Sequence, residues 1–408
     1  MKLREWTAIA MLACVVSAAA QESTDTIGGR RRFFLMTKGE VGRIAQTNDF
    51  VRGTNLARRE MHNFNAFSLG FGWQTTGRHE WEHIHNFPAF GFGIYKPHFE
   101  NCCEIGHPFS LYAFYRGTLW RNGNHSLHYN IDGGWAFGWK RYDLETNPYN
   151  VAVGTNNSVH ISAGAEYDYT FDKKLHLGVG LNVSHFSNGC MRKPNKGLNT
   201  LSPYVRVIYE FEQPEKLIAR RRADFGRMKG NEIALTVGAG FKRDQYNEIW
   251  GDGYLHDLYQ DTPRYFITSL QAAYLRQYGH MGKYGCGLSI IYNDWIGSTL
   301  RIENYKAVGY ERTSFARRMM YALFMQHEFC IDKLSVVAQL GVNVWHARHI
   351  SQDVSWFYQR LGLKYVLPWN QFIGANIYAQ YCSQAVFVEW NMGYTLPWGQ
   401  HVKYMNNN

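Results

Sequence analysis

Apolar and polar side chains alternate with a period of two along nearly the whole chain. From His125 to Trp139, Leu127, Tyr129, Ile131, Trp135, Phe137 and Trp139 fall on one side, and His128, Asn130 and Asp132 on the other. Val159 to Thr170 sets Ile161, Ala163, Ala165, Tyr167 and Tyr169 against Ser162, Glu166, Asp168 and Thr170. Leu334 to His346 sets Val336, Ala338, Leu340, Val342 and Val344 against Ser335, Gln339 and Asn343, and Val386 to Tyr394 repeats the pattern with Glu389 and Asn391 on its polar side. Residues i and i+2 share a face only in an extended chain, so these segments read as strands. The apolar faces are long and aromatic-tipped, and the opposite faces hold charged groups that a soluble sandwich would leave in water. The fold class expected is therefore all-β, a transmembrane antiparallel β-barrel.

Composition agrees where it bears on this choice. Aromatic residues make up 16% of the 408 residues, glycine is abundant at 39 and proline sparse at 10. The mean hydropathy of -0.38 suits a barrel apolar on one face only. After the N-terminal segment no run of about 18 apolar residues exists, which excludes a helical membrane bundle. The opening MKLREWTAIAMLACVVSAAAQES has basic Lys2 and Arg4, an apolar Ala8 to Val16 and small Ala18 and Ala20. Residues 1–20 therefore read as a secretory signal peptide cleaved before Gln21. Of seven cysteines, Cys14 lies in that segment, and the other six match no zinc spacing. The net charge of +10 fits an anionic partner such as lipid phosphate. Nucleic acid is not expected for an exported chain whose basic runs, such as Arg220 to Arg222, are only three residues long.

The strand-like segments number about seven or eight in residues 28–213 and about eight in residues 231–398. A charged connector (214–230) joins the halves and a polar tail (399–408) follows. Two small barrels or one large barrel of about sixteen strands fit equally well. With the N-terminus periplasmic, the seventh strand runs outward.

One motif invites a metal reading. His79-Glu80-Trp81-Glu82-His83 is an HExxH sequence, which binds zinc when a helix brings both histidines to one face. It sits between Gly77 and Pro88 with strands close on both sides, so it reads as a polar loop and no metal is assigned.

The stretch LHLGVGLNVSHFSNG, residues 175–189, carries a sharper signal. Leu177, Val179, Leu181 and Val183 line one strand face, and His185 and Ser187 continue it. A histidine beside a serine hydroxyl is the minimum for nucleophilic catalysis, because the imidazole accepts the hydroxyl proton as the oxygen attacks a carbonyl. The same pair could be a polar rim at a strand end. Ionisable groups on a lipid-facing surface are costly and tend to be functional, which favours the catalytic reading. An orienter and oxyanion donors would come from the loop that follows, with Asn188, Asn195 and Asn199 as candidates and Gly189 and Gly197 allowing sharp turns. A strand resuming at Tyr204 to Phe211 would bring Asn199 near His185.

At these residues the sequence resembles the outer-membrane lipid A 3-O-deacylase (acyloxyacyl hydrolase) family, in its long form. The likeness lies in His185-Phe186-Ser187-Asn188-Gly189 and Pro194-Asn195-Lys196-Gly197-Leu198-Asn199. It extends through Glu104 to Pro108, Gly134 to Trp139, Asn147 to Asn150 and Phe387 to Tyr394. The resemblance implies an outer-membrane serine esterase that removes a 3-O-linked acyl chain from the lipid A of lipopolysaccharide and needs no cofactor. By position it implies Ser187 as nucleophile, His185 as general base, and Asn188 and Asn195 as oxyanion support beside Gly189. One position departs: the family's glutamate is Asn199 here. Outer-membrane phospholipase A is similar in its His-x-Ser-Asn-Gly and uses an asparagine there. That likeness keeps Asn199 as third triad member and adds a phospholipase alternative, with calcium. Glu389 or Glu210 could supply a charge instead, although both are expected to point inward. A catalytically inactive structural or channel barrel is the remaining alternative.

Overall fold

The computed structural model describes residues 31–212, 225–247, 259–304, 306–347, 354–381 and 384–403. The signal-peptide segment and residues 214–224 of the connector lie outside the described residues. Eight strands close the first barrel: β1 (Arg32–Ile44), β2 (Asn63–Gln74), β3 (Ala89–Phe99), β4 (Gly106–Asn122), β5 (His125–Trp139), β6 (Asn157–Asp172), β7 (Leu175–Ser187) and β8 (Leu198–Glu210). Each pairs antiparallel with its neighbour in sequence, and β8 returns to β1.

The second half forms its own closed barrel from β9 (Arg227–Asn247), β10 (Tyr259–Gln277), β11 (Gly282–Asn293), β14 (Met319–Ile331), β15 (Leu334–His346), β16 (Phe357–Val366), β17 (Gln371–Gln380) and β18 (Gln384–Lys403). A small hairpin, β12 (Thr299–Glu303) and β13 (Lys306–Glu311), stands in the β11–β14 loop. Two barrels, not one of sixteen strands, is thus the arrangement. Closure pairs every barrel strand on both sides and leaves neither barrel an edge. The tail differs from expectation. β18 continues past Trp398 to Lys403, because residues 401–403 pair across a bulge with residues 227–229 of β9.

The alternation sorts as a membrane barrel requires. In β7, Leu181 and Val183 are 59% and 54% exposed, while Asn182 and Ser184 are buried at 3% and 1%. Apolar outside and polar inside would be untenable in water over this area, so the outer wall is lipid-facing. The interior is filled by paired charges. Arg116 Nη2 lies 2.7 Å from Glu166 and 2.8 Å from Asp168, Arg206 Nη1 lies 3.1 Å from Glu166, and Lys38 Nζ lies 2.6 Å from Glu40. In the second barrel Arg360 pairs with Glu389 at 3.2 Å, Lys364 with Glu328 at 2.5 Å and Lys283 with Glu232 at 2.8 Å. Eight strands leave room for such side chains and little more.

Trp139 breaks the pattern. The alternation puts it outward, yet it is 3% exposed, because Gly138 at φ 81° turns the chain and tips the ring over the barrel end.

Loop lengths orient the molecule. Three connections at one end have two residues each: 123–124, 173–174 and 332–333. The other end carries long loops at 45–62, 140–156 and 188–197. Outer-membrane barrels keep short turns on the periplasmic side and long loops outside. The end of β7 that carries Ser187 is therefore the outer end. The 75–88 loop is the long exception on the periplasmic side, and the HExxH residues lie there. Its one-turn helix α1 (Glu80–Ile84) is held by Glu82, whose Oε2 accepts the backbone N–H of Thr76, Gly77 and Arg78 at 3.2, 2.7 and 2.9 Å. His83 Nε2 lies 2.9 Å from the Gly77 carbonyl, and His85 Nε2 lies 3.0 Å from the Cys330 carbonyl of the second barrel. Among the described residues no group of three or more His, Cys, Asp or Glu converges as a metal site. The loop is a contact between barrels, bordering a cavity of about 1060 Å³ with Glu232, Lys283 and Lys364.

Candidate active site

Phe186 explains why the two flanking side chains point where they do. It is fully buried, its ring stacked on His160 with centroids 4.5 Å apart and edge-on to Trp139 at 5.4 Å and Phe99 at 6.0 Å. This aromatic plug fills the outer end of the first barrel. With Phe186 locked inward, strand geometry sends His185 and Ser187 outward, where both are half-buried.

β7 pairs with β8 so that His185 and Asn199 are direct partners across the ladder. Directly opposed side chains on one face approach closely, and Asn199 Oδ1 lies 2.6 Å from His185 Nδ1. The amide's other end donates from Nδ2 to Thr47 Oγ1 at 3.1 Å. A histidine whose Nδ1–H is bound to an acceptor presents Nε2 as its basic nitrogen. Ser187, next along that face, is the group it would serve.

The loop between β7 and β8 is fastened at several points. The Asn188 backbone N–H donates to Asn195 Oδ1 at 2.8 Å, and Asn188 Nδ2 donates to the Arg192 carbonyl at 2.7 Å. Both asparagines therefore brace the loop that follows Ser187. Gly189 sits at φ 61° two residues after Ser187, so the turn's backbone is the polar surface next to that serine. A β-carbon built on Gly189 would lie 2.7 Å from Val388 Cγ2 on the outer wall of the second barrel. Gly197, at φ 74°, is tightly placed too: its β-carbon would lie 3.0 Å from His185 Cε1 and press on that ring. Glycine is needed there for both reasons.

Neighbouring loops hold that segment from outside. The Lys196 and Gly197 N–H groups donate to the Val151 and Ala152 carbonyls, each at 3.0 Å, and Asn48 Nδ2 donates to the Gly197 carbonyl at 2.9 Å. The 140–156 loop is itself pinned by two asparagines. Asn147 Nδ2 reaches the Glu104 carbonyl at 2.9 Å, and Asn150 Nδ2 reaches the Glu104 and Lys140 carbonyls at 3.0 and 2.8 Å. The Glu104 carboxylate accepts the Leu56 N–H at 3.0 Å and Asn101 Nδ2 at 2.6 Å. The Glu104 and Asn147–Asn150 segments singled out in the sequence thus form one scaffold under the 188–197 loop.

Neither candidate replacement charge comes to the site. Glu389 is buried in the second barrel against Arg360, where it also accepts from Ser269 Oγ at 2.5 Å. Glu210 lies at the periplasmic end with Arg32 at 3.4 Å and His176 at 3.3 Å. Thr47 and Asn48 carried no sequence signal, since they sit in a non-periodic loop about 150 positions from their partners. Their turn-forming character in Gln46-Thr47-Asn48-Asp49 marks a tight loop and nothing more.

No curated protein matches the chain. Among solved structures, the outer membrane enzyme PagL is similar at 14% identity over 42% of this chain and 97% of that one, with a TM-score of 0.30. The Ralstonia pickettii toluene transporter TbuX is similar at 9% identity over 92% and 90%, with a TM-score of 0.19. Residues 65–207 match the family profile described as Lipid A 3-O-deacylase (PagL), and residues 231–398 match that described as Acyloxyacyl hydrolase, C-terminal domain. The two matches fall on the two barrels and take in most of the chain. The chain belongs to the lipid A 3-O-deacylase family of ester-hydrolysing outer-membrane enzymes, in a form that carries a second, C-terminal acyloxyacyl hydrolase domain.

Proposed function

We propose that the chain is a serine esterase that removes a 3-O-linked acyl chain from lipid A, with Ser187, His185 and Asn199 as its triad. The observation that carries this reading is the 2.6 Å contact between Asn199 Oδ1 and His185 Nδ1 on the outward face that Ser187 shares. Ser187 Oγ attacks the ester carbonyl while His185 Nε2 takes its proton. The proton then passes to the departing 3-hydroxyl oxygen of the sugar, and the acyl group stays on Ser187. Water, deprotonated by the same nitrogen, releases the fatty acid and restores the serine. The oxyanion forms beside the Asn188–Gly189 turn, where the Gly189 N–H is the nearest backbone donor in sequence that Asn195 does not already engage.

The outward direction of the pair suits a substrate that lies among the lipids of the outer leaflet. The filled interiors of both barrels argue against a channel. Asn199 also fits the phospholipase alternative, which one experiment separates. Refolded protein and its Ser187→Ala variant are incubated with lipid A and with phospholipids, and the products are weighed by mass spectrometry. Loss of one hydroxyacyl chain from lipid A, absent with Ser187→Ala, is the expected result. Serine-dependent release from phospholipids alone would transfer the assignment to a phospholipase, and release from neither would leave the barrel without this activity.

A further inference from the structure

The amide of Asn199 could face His185 with either end, and only one end is useful. If Nδ2 met the ring, Nδ1 would have to accept, the proton would sit on Nε2, and the base would be lost to Ser187. A carboxylate has no such wrong end. The departure at this position therefore creates a requirement that the family's glutamate does not have: something must set the amide's orientation.

The hydrogen bonds around Thr47 meet that requirement. The Ala45 carbonyl can only accept, and Thr47 Oγ1 donates to it at 3.5 Å. The contact is long, but it favours the hydroxyl rotamer that turns a lone pair to Asn199, and Thr47 Oγ1 accepts from Nδ2 at 3.1 Å. Nδ2 so placed leaves Oδ1 towards His185 Nδ1 at 2.6 Å. Donor and acceptor roles thus run in one direction from a backbone carbonyl to the imidazole. The segment holding Thr47 is itself seated beside the site: the Ala45 N–H donates to the Asn199 carbonyl at 2.8 Å, and the Thr47 N–H donates to the Ala45 carbonyl at 2.8 Å. We infer that Thr47 is a positioning residue, which orients the Asn199 amide and so sets the tautomer of His185. This rests on the triad reading above.

Thr47 is exposed, so water competes for the amide and the effect is moderate. Thr47→Val keeps the shape and removes the hydroxyl. It is expected to lower kcat on lipid A about fivefold with KM unchanged, and Thr47→Ser to restore kcat to within about twofold. The decisive arm is Thr47→Val in an Asn199→Asp background, where the acceptor is symmetric and needs no orienting. There kcat is expected to change by less than about twofold. An equal loss in both backgrounds would mean that Thr47 only holds the loop, and no loss in either would mean that the amide orients itself; each overturns the inference. Nitrogen chemical shifts of His185 provide a readout independent of turnover. The Nδ1–H tautomer is expected to dominate with Thr47 and to fall in Thr47→Val, and an unchanged tautomer overturns the inference. Ser187→Ala separates the two levels. If acyl release survives it, the triad reading fails and this inference with it. If release is lost with Ser187→Ala but untouched by Thr47→Val, the inference alone fails.

Discussion

At the scale of single residues, the proposed triad places a neutral side chain, Asn199, where the family resemblance implies a carboxylate. An amide can hold an imidazole in place and accept its Nδ1–H, but it stabilises the imidazolium less than a carboxylate does. Asn199→Ala is therefore expected to lower kcat about a hundredfold, and Asn199→Asp to raise it several-fold, both read as fatty acid released from lipid A. A rate for Asn199→Asp below that of wild type would show that the amide is the better partner in this setting. Glu100, at the outer rim, makes a separate point about pH. Burial raises its pKa, but the His62 N–H at 2.6 Å and the Asn63 N–H and Nδ2 at 3.0 and 2.8 Å outweigh that and hold the carboxyl below its usual range. A depressed folded pKa stabilises above the ordinary glutamate range, and the stabilisation is lost as pH falls through the folded value. The 45–62 loop should thus keep its protease resistance at pH 6 and lose it only below about pH 4. In Glu100→Gln the resistance should be lower at pH 6 and change less on acidification, the remainder coming from Glu104, which holds the Leu56 N–H of the same loop.

At the scale of elements, β7 has two tasks, and its residues divide between them. Leu181, at mid-strand, faces lipid. Leu181→Arg is expected to cost about 2–4 kcal/mol in a bilayer unfolding titration, the price of a charge near the midplane, without changing the site six residues away in Ser187. The loops behave differently, because they are stitched through buried amides. Asn150 is fully buried, and its side chain donates to two carbonyls and accepts the Val153 N–H at 3.2 Å. Asn150→Ala removes the acceptor of the Val153 N–H and leaves both carbonyls to Asn147 Nδ2 alone. It should destabilise by about 1–3 kcal/mol and also reduce kcat, since Val151 and Ala152 hold Lys196 and Gly197. A stability loss with full activity would show that the catalytic loop is held without this scaffold.

At the scale of the whole molecule, two barrels of eight strands stand where the strand count alone allowed one of sixteen. The difference is functional. A single barrel of that size would enclose an aqueous lumen, whereas each eight-stranded barrel is filled by its own ion pairs. Planar bilayers containing the protein should therefore show no steady conductance, with Ser187→Ala and wild type alike. Stable channels of porin size would contradict the filled interiors. The second barrel also reaches the site. Val388 meets Gly189 beside Ser187, the proposed nucleophile, so Gly189→Val is expected to lose activity by steric pressure on that turn while the barrels still close.

The sequence by itself determined the local chemistry. The period of two can be satisfied only by strands, the aromatic-tipped apolar faces only by lipid outside, and His185 and Ser187 by strand parity share one outward face. Local rules reach that far because they act between residues one or two positions apart. Which strand closes on which was not determined, since β8 pairs with β1 and β18 with β9 through backbone hydrogen bonds that are indifferent to side-chain identity. Trp139 and the tail beyond Trp398 escaped the pattern for related reasons: a positive φ at Gly138 reset the parity, and partners in β9 drew polar residues into a strand. Thr47, Asn48 and the second barrel's Val388 were likewise beyond reach. Their roles come from contacts across more than a hundred residues of chain, and such contacts exist only once both barrels have closed.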